Sequence, residues 1–182
     1  MTTVTAGAPG AAAGDDRRWV AFVDGADATG TLTALAGVFS TRGVSFDSLS
    51  TGDAADGVGL IVVTFTASER RQRLLMRTVR RLAAVRSAEV RSADDDAVRA
   101  AAVVHLPVTA EGFAPPPDAA VHWSGDPGAG QPVLVEGSLR DVERVVADAR
   151  ARGALSTATV LLPPPGVASH PAAGAGGTPS RG

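Results

Sequence analysis

The side chains able to do chemistry are few and widely spaced. Three histidines, His105, His122 and His170, form no HxH or HExxH pattern, so no metal-ligand spacing is present. A lone histidine beside an apolar strand is most often a partly buried structural residue, and that reading is preferred for His105 and His122. His170 falls in an Ala/Gly/Pro-rich stretch. No serine sits in a G-x-S-x-G elbow. The chain has no cysteine, which excludes disulfide scaffolds, thiolate catalysis, cysteine-based zinc sites and iron–sulfur clusters. All 17 basic residues are arginine, so lysine Schiff bases and the phosphate-loop lysine are excluded too. The carboxylate runs Asp15–Asp16 and Asp94–Asp96 lack the alternating acidic and glycine pattern of a cation loop and read as solvated turns. These residues point to a non-enzyme that carries neither cofactor nor metal.

Two features invite a binding reading. Gly25 and Gly30 flank a turn between an apolar run and an amphipathic segment. The dinucleotide fingerprint G-x-G-x-x-G is absent there. A helix N-terminus behind such a turn presents backbone N–H groups that hold a carboxylate as readily as a phosphate, and an ordinary surface turn explains the glycines equally well. The second feature is a run of arginines, Arg70, Arg71, Arg73, Arg77, Arg80 and Arg81, followed by Arg86 and Arg91. A solvated helix face is the plainer reading, an acidic partner the next. Nucleic acid comes last, because stacking aromatics are missing.

The elements that must position these residues follow from periodicity. Trp19–Asp24 reads as a strand. Leu32, Leu35, Ala36 and Phe39 fall on one helical face, with Thr29 or Thr31 expected to cap its start and Gly43 expected as the left-handed residue after its end. A strand over 44–50 should place Val44, Phe46 and Ser48 on one face, and Leu60–Thr66 is a strongly apolar strand. Ser68 opens a second helix with Leu75, Val79 and Leu82 inward, and 84–91 closes as a strand. The order β-α-β-β-α-β predicts a ferredoxin-like α+β sandwich, two helices on one face of a four-stranded antiparallel sheet. A second unit shows strands near 101–107, 119–123, 132–137 and 158–163, with a helix over 138–152 opened by Ser138 and Asp141. Pro107 and Pro115–Pro117 prevent a regular helix in 106–118, so this unit is expected to be a degenerate relative of the first. Residues 1–16 and 163–182 are expected to be disordered tails around units at 17–98 and 99–162.

A chain of 182 residues with 45% apolar content can bury a substantial core, and a net charge of −2 gives no whole-molecule argument for nucleic acid or membranes. No apolar run approaches the roughly 20 residues of a membrane span. No basic segment followed by an apolar one opens the chain, so a soluble cytoplasmic protein is expected.

The run Gly30–Leu49, GTLTALAGVFSTRGVSFDSL, resembles the first ACT domain of acetohydroxyacid (acetolactate) synthase regulatory small subunits. In that family an N-E-x-G loop opens a helix, G-L-F-S-x-R-G ends it, and N-I-x-S-L begins the second strand. The corresponding pieces are Asp27–Gly30, Gly37–Gly43 and Ser45–Leu49. The likeness extends through 74–85 and to a linker strand at 98–105, and more loosely over 132–162. The resemblance implies a regulatory subunit, homodimeric and non-catalytic, that binds a valine-like amino acid between the strand-to-helix loop of one protomer and the second strand of its neighbour. Its implied partner is a thiamine-diphosphate-dependent catalytic large subunit of branched-chain amino acid biosynthesis. The effector residues implied are Asp27, Thr29, Gly30, Ser45 and Phe46. A stand-alone ACT protein that senses another small molecule, or acts as a scaffold, is the alternative.

Overall fold

The computed structural model describes residues 16–25, 28–53, 59–110 and 112–163. The first half forms β1 (Arg17–Gly25), α1 (Ala28–Thr41), β2 (Phe46–Asp53), β3 (Gly59–Ala67), α2 (Glu69–Val79) and β4 (Val85–Ser92). These strands make an antiparallel sheet in the order β2-β3-β1-β4. The second half forms β5 (Arg99–His105), β6 (Val121–Ser124), β7 (Val133–Ser138), α3 (Leu139–Ala151) and β8 (Ser156–Leu162), with strand order β6-β7-β5-β8. The two orders correspond strand for strand. The second unit is therefore the ferredoxin-like pattern with its first helix missing, as the prolines dictate.

Local chemistry sets the helix ends. Gly43 takes a left-handed φ of 62°, its N–H donates to the Ser40 carbonyl, and the Val44 N–H donates to Phe39. That is a full Schellman termination, in which a residue with a Cβ would be strained. The Ser68 hydroxyl accepts from the Arg71 N–H, and Ser138 does the same for Asp141 while donating to its carboxylate at 2.9 Å. Where α1 begins, Thr31 is not a cap. It is fully buried one turn in, and its hydroxyl donates to the Ala84 carbonyl at 3.1 Å. Ala36, expected inward, is exposed; Thr31, Leu35 and Phe39 carry the buried stripe.

The expected alternation in β2 also fails, for a local reason. The register shifts between Phe46 and Ser48, so Phe46 lies opposite Phe65 while Ser48 lies opposite Thr64. Phe46 joins the helix-side core, its ring 4.5 Å from that of Phe39. Ser48 turns to the other face and shares a 2.6 Å hydrogen bond with Thr64.

Two cores result. One lies between the first sheet and α1 and α2, built on Ala21, Val23, Leu35, Phe39, Ile61, Val63, Phe65, Leu75 and Val79. The other joins Val20, Phe22, Leu60 and Val62, on the opposite face of that sheet, to α3 and the inner face of the second sheet. Arg18 of β1 pairs with Glu143 of α3 at 2.5 Å along this seam. Burial on both faces is why β1 and β3 read as unbroken apolar runs and not as alternating ones. Phe113, from the segment that replaces the missing helix, is buried in the same core under the Arg152 guanidinium.

Candidate functional site

The strand-to-helix turn after β1 is built around a steric constraint. Gly25 pairs with Gly59 on one side and Val85 on the other, which fixes the backbone where the chain leaves the sheet. A Cβ at Gly25 would meet the Thr31 side chain, and Thr31 is tethered to the start of β4. Gly25 is expected from the sequence only to flank a turn; in the fold it admits the first turn of α1 against the sheet. No acidic side chain occupies that first turn.

The sequence-expected effector residues separate into two groups. Thr29 and Gly30 sit exposed in the first turn of α1, where the Thr29 carbonyl accepts from Thr33. Asp27 lies outside the described residues. Ser45 is exposed just before β2, and Phe46 is half-buried against Phe39. The body of α1 stands between the groups. From Gly30 to Thr41 the helix rises about 17 Å at roughly 1.5 Å per residue. One chain does not bring Gly30 and Ser45 together. However, β2 is an edge strand, and its far end, Asp53, is opposite Gly59, itself opposite Gly25 at the start of α1. The Gly30 turn thus lies level with the far end of β2, two strands in from that edge, and Ser45 lies at the near end.

Asp24, which no sequence motif singles out, is only 9% exposed on β1. One carboxylate oxygen accepts from the Ser87 hydroxyl at 2.5 Å, and the other is buried with no hydrogen-bond partner among the described residues. A lone carboxylate closing an apolar strand was its only signal. Asp24 alternates with Gly25 along β1, so it belongs to the face opposite α1 and not to the turn.

His105 and His122 stay apart, and His170 lies outside the described residues. His105 borders a shallow groove with Leu106, Pro132 and Leu155, and His122 lies across from Glu136 in the second sheet. Among the described residues no three His, Asp or Glu side chains gather as a metal site. No described helix is long and apolar enough to cross a membrane. The acidic run at 94–96 is a structured turn. The Asp95 carboxylate accepts from the Ala97 N–H at 2.9 Å and pairs with Arg91 at 3.2 Å. Those contacts, the Ala97 N–H foremost, hold its carboxyl below the usual carboxylate range.

No family model matches the chain, and no curated protein does. Among solved structures, the acetolactate synthase small subunit from Thermotoga maritima aligns over 80% of this chain and 96% of its own, with a TM-score of 0.55 at 13% identity. The regulatory subunit of aspartate kinase from Thermus flavus aligns over 76% of this chain and 94% of its own, at a TM-score of 0.38 and 11% identity. A protein from Galdieria sulphuraria reaches a TM-score of 0.38 at 15% identity over 81% of this chain and 98% of its own. The latter two likenesses are too loose to carry weight. The first spans both halves of the chain and supports the architecture described above, two α+β, ferredoxin-like units.

Proposed function

We propose that the chain is a non-catalytic regulatory subunit of the acetolactate synthase type, homodimeric, with a small branched-chain amino acid as effector and a thiamine-diphosphate enzyme as catalytic partner. The observation that carries this reading is that the two residue groups lie level with opposite ends of the edge strand β2. If two protomers pair β2 to β2 antiparallel about a two-fold axis, the start of β2 in one protomer lies beside the far end of β2 in its partner. Ser45 and Phe46 of one chain then approach the Gly30 turn of the other. Each dimer gains two equivalent clefts from residues that a single chain keeps apart, and the unpaired edge is covered.

The chemistry suits an α-amino acid. Gly30 has no Cβ to obstruct a carboxylate approaching the α1 N-terminus. The Ser45 hydroxyl is able to accept from an ammonium, and Phe46 supplies an apolar wall on a side chain already anchored by Phe39. The likeness over both units to a small subunit supports the regulatory part of the reading.

Calorimetric titration of the purified chain with valine, leucine and isoleucine tests it, alongside light scattering. The expected result is a dimer at tens of micromolar that binds one of the three with Kd between micromolar and sub-millimolar, about −8 to −5 kcal/mol. Gly30→Asp places bulk and negative charge where the carboxylate would sit, so it should abolish the heat and leave the fold intact. A monomer removes the cleft. A dimer silent to all three amino acids favours the second reading, a stand-alone ACT-type protein that senses another molecule or acts as a scaffold.

A further inference from the structure

We infer that the solvent face of α2 is a docking surface for an acidic region of a partner protein. The inference stands apart from the effector cleft and does not rest on it. Helix α2 buries Gln72, Leu75, Met76 and Val79 against the first sheet. Its opposite ridge, at i, i+4, i+7 and i+11, is Arg70, Leu74, Arg77 and Arg81, all exposed, with Leu74 at 43%. Arg73 pairs with Glu69, and the Arg80 guanidinium donates to the Ala88 carbonyl. Among the described residues no carboxylate pairs with Arg70, Arg71, Arg77 or Arg81.

This charge is not a by-product of composition. Within α3 the same arginine-only repertoire supplies three arginines and three acids, arranged so that Arg144 pairs with Asp141 and Asp118. Within α2 there are four arginines and one acid, with Arg80 and Arg81 directly after. Glutamate was available to α2 and is used once. The resulting Arg73–Arg77 and Arg77–Arg81 spacings place like charges one turn apart, which destabilises a helix. Arg70 and Arg71 sit in the first turn, where the helix dipole disfavours cations. Arg77 does lie in the last turn, where the dipole favours a cation, but Arg70 and Arg71 gain nothing of that kind from the fold, whereas an acidic partner would neutralise the whole ridge.

Two further observations favour protein over nucleic acid. Leu74 stands in the middle of the basic ridge, the composition of a contact centre ringed by charge. Beside it, α1 and α2 enclose a groove of about 460 Å³ lined by Ala34, Gly37, Val38, Thr41, Arg42 and Thr78. Its small side chains permit close approach, and Arg42 extends the positive rim by donating to the Thr78 hydroxyl at 3.0 Å. No aromatic side chain on α2 offers a base a stacking platform.

The test uses the full chain and two labelled probes of matched charge. One is a helical peptide of about twenty residues with glutamates flanking a central leucine pair, and the other is a single-stranded RNA. The chain should bind the peptide more tightly than the RNA, with affinity falling as salt rises. The triple variant Arg70→Glu, Arg77→Glu, Arg81→Glu should weaken peptide binding at least about tenfold. Leu74→Ser should weaken it several-fold at the same salt, and Arg140→Glu with Arg150→Glu on α3 should not. Because Arg77→Glu removes two like-charge spacings, that single variant should melt at or above the wild-type temperature, which separates docking from folding. Failure to bind the peptide, equal loss from the α3 control, indifference to Leu74→Ser, or tighter RNA binding would each overturn the inference.

Discussion

A Cβ on Gly25 would stand 2.1 Å from the Thr31 hydroxyl oxygen and 2.7 Å from its Cβ. The strand that ends at Gly25 and the helix that carries Thr31 therefore meet closely enough that only glycine fits between them. Gly25→Ala should destabilise the chain by about 1–3 kcal/mol as an overpacking change. For a chain of this size that lowers the melting temperature by roughly 2–4 °C per kcal/mol. Calorimetry reads it directly, and an unchanged transition would mean that Thr31 swings aside and gives up its bond to Ala84.

Neighbouring residues on β7 should respond in opposite ways. Val135 is 2% exposed and packs in the core shared by both sheets, while Leu134 is 48% exposed on the outer face. Val135→Ala should cost on the order of 1–3 kcal/mol. Leu134→Ser should fall within about ±0.5 kcal/mol. Urea denaturation of the two variants checks the pair, and equal losses would contradict the assigned faces.

The shared core bears on whether the first unit stands alone. A chain ending at residue 98 would uncover the face carrying Val20, Phe22, Leu60 and Val62. Apolar surface of that kind drives association. The truncated chain should bind a hydrophobic dye and self-associate, whereas the whole chain should unfold in one cooperative transition. A soluble, dye-silent fragment would show that the second unit is dispensable to the first.

Asp95 should make a small part of the stability depend on pH. Its folded pKa is lowered, chiefly by the Ala97 N–H and then by Arg91. The contribution is therefore fully present above the ordinary carboxylate value, about 4. It is lost as pH falls through the lower folded value. Asp95→Ala should melt below wild type at neutral pH, and the gap should narrow in acid. A gap independent of pH would place the effect in the turn geometry and not in the ionised carboxylate.

Much of this was legible in the residues. Gly43, Ser68 and Ser138 announced the helix ends they make, because a left-handed φ and a hydroxyl capping bond are decided within a few residues. Prolines 107 and 115–117 foretold the missing helix for the same reason: a ring that removes an N–H acts where it stands. Gly25 and Gly30 stood out as the flanks of a turn, Asp27, Ser45 and Phe46 entered through the resemblance alone, and Asp24 came by neither route.

The sequence by itself determined the kind and order of the elements and several of their caps, and with them the ferredoxin-like class of both units. Only the tertiary structure decided which faces are covered. It buried Thr31 and left Ala36 outside, turned Ser48 away from Phe46 across a register shift, and joined the two sheets through α3. It also set Gly30 and Ser45 at opposite ends of α1. Dihedral preferences and caps act on neighbours in the chain, whereas burial depends on which distant segments arrive, and no window of sequence contains both partners of such a contact.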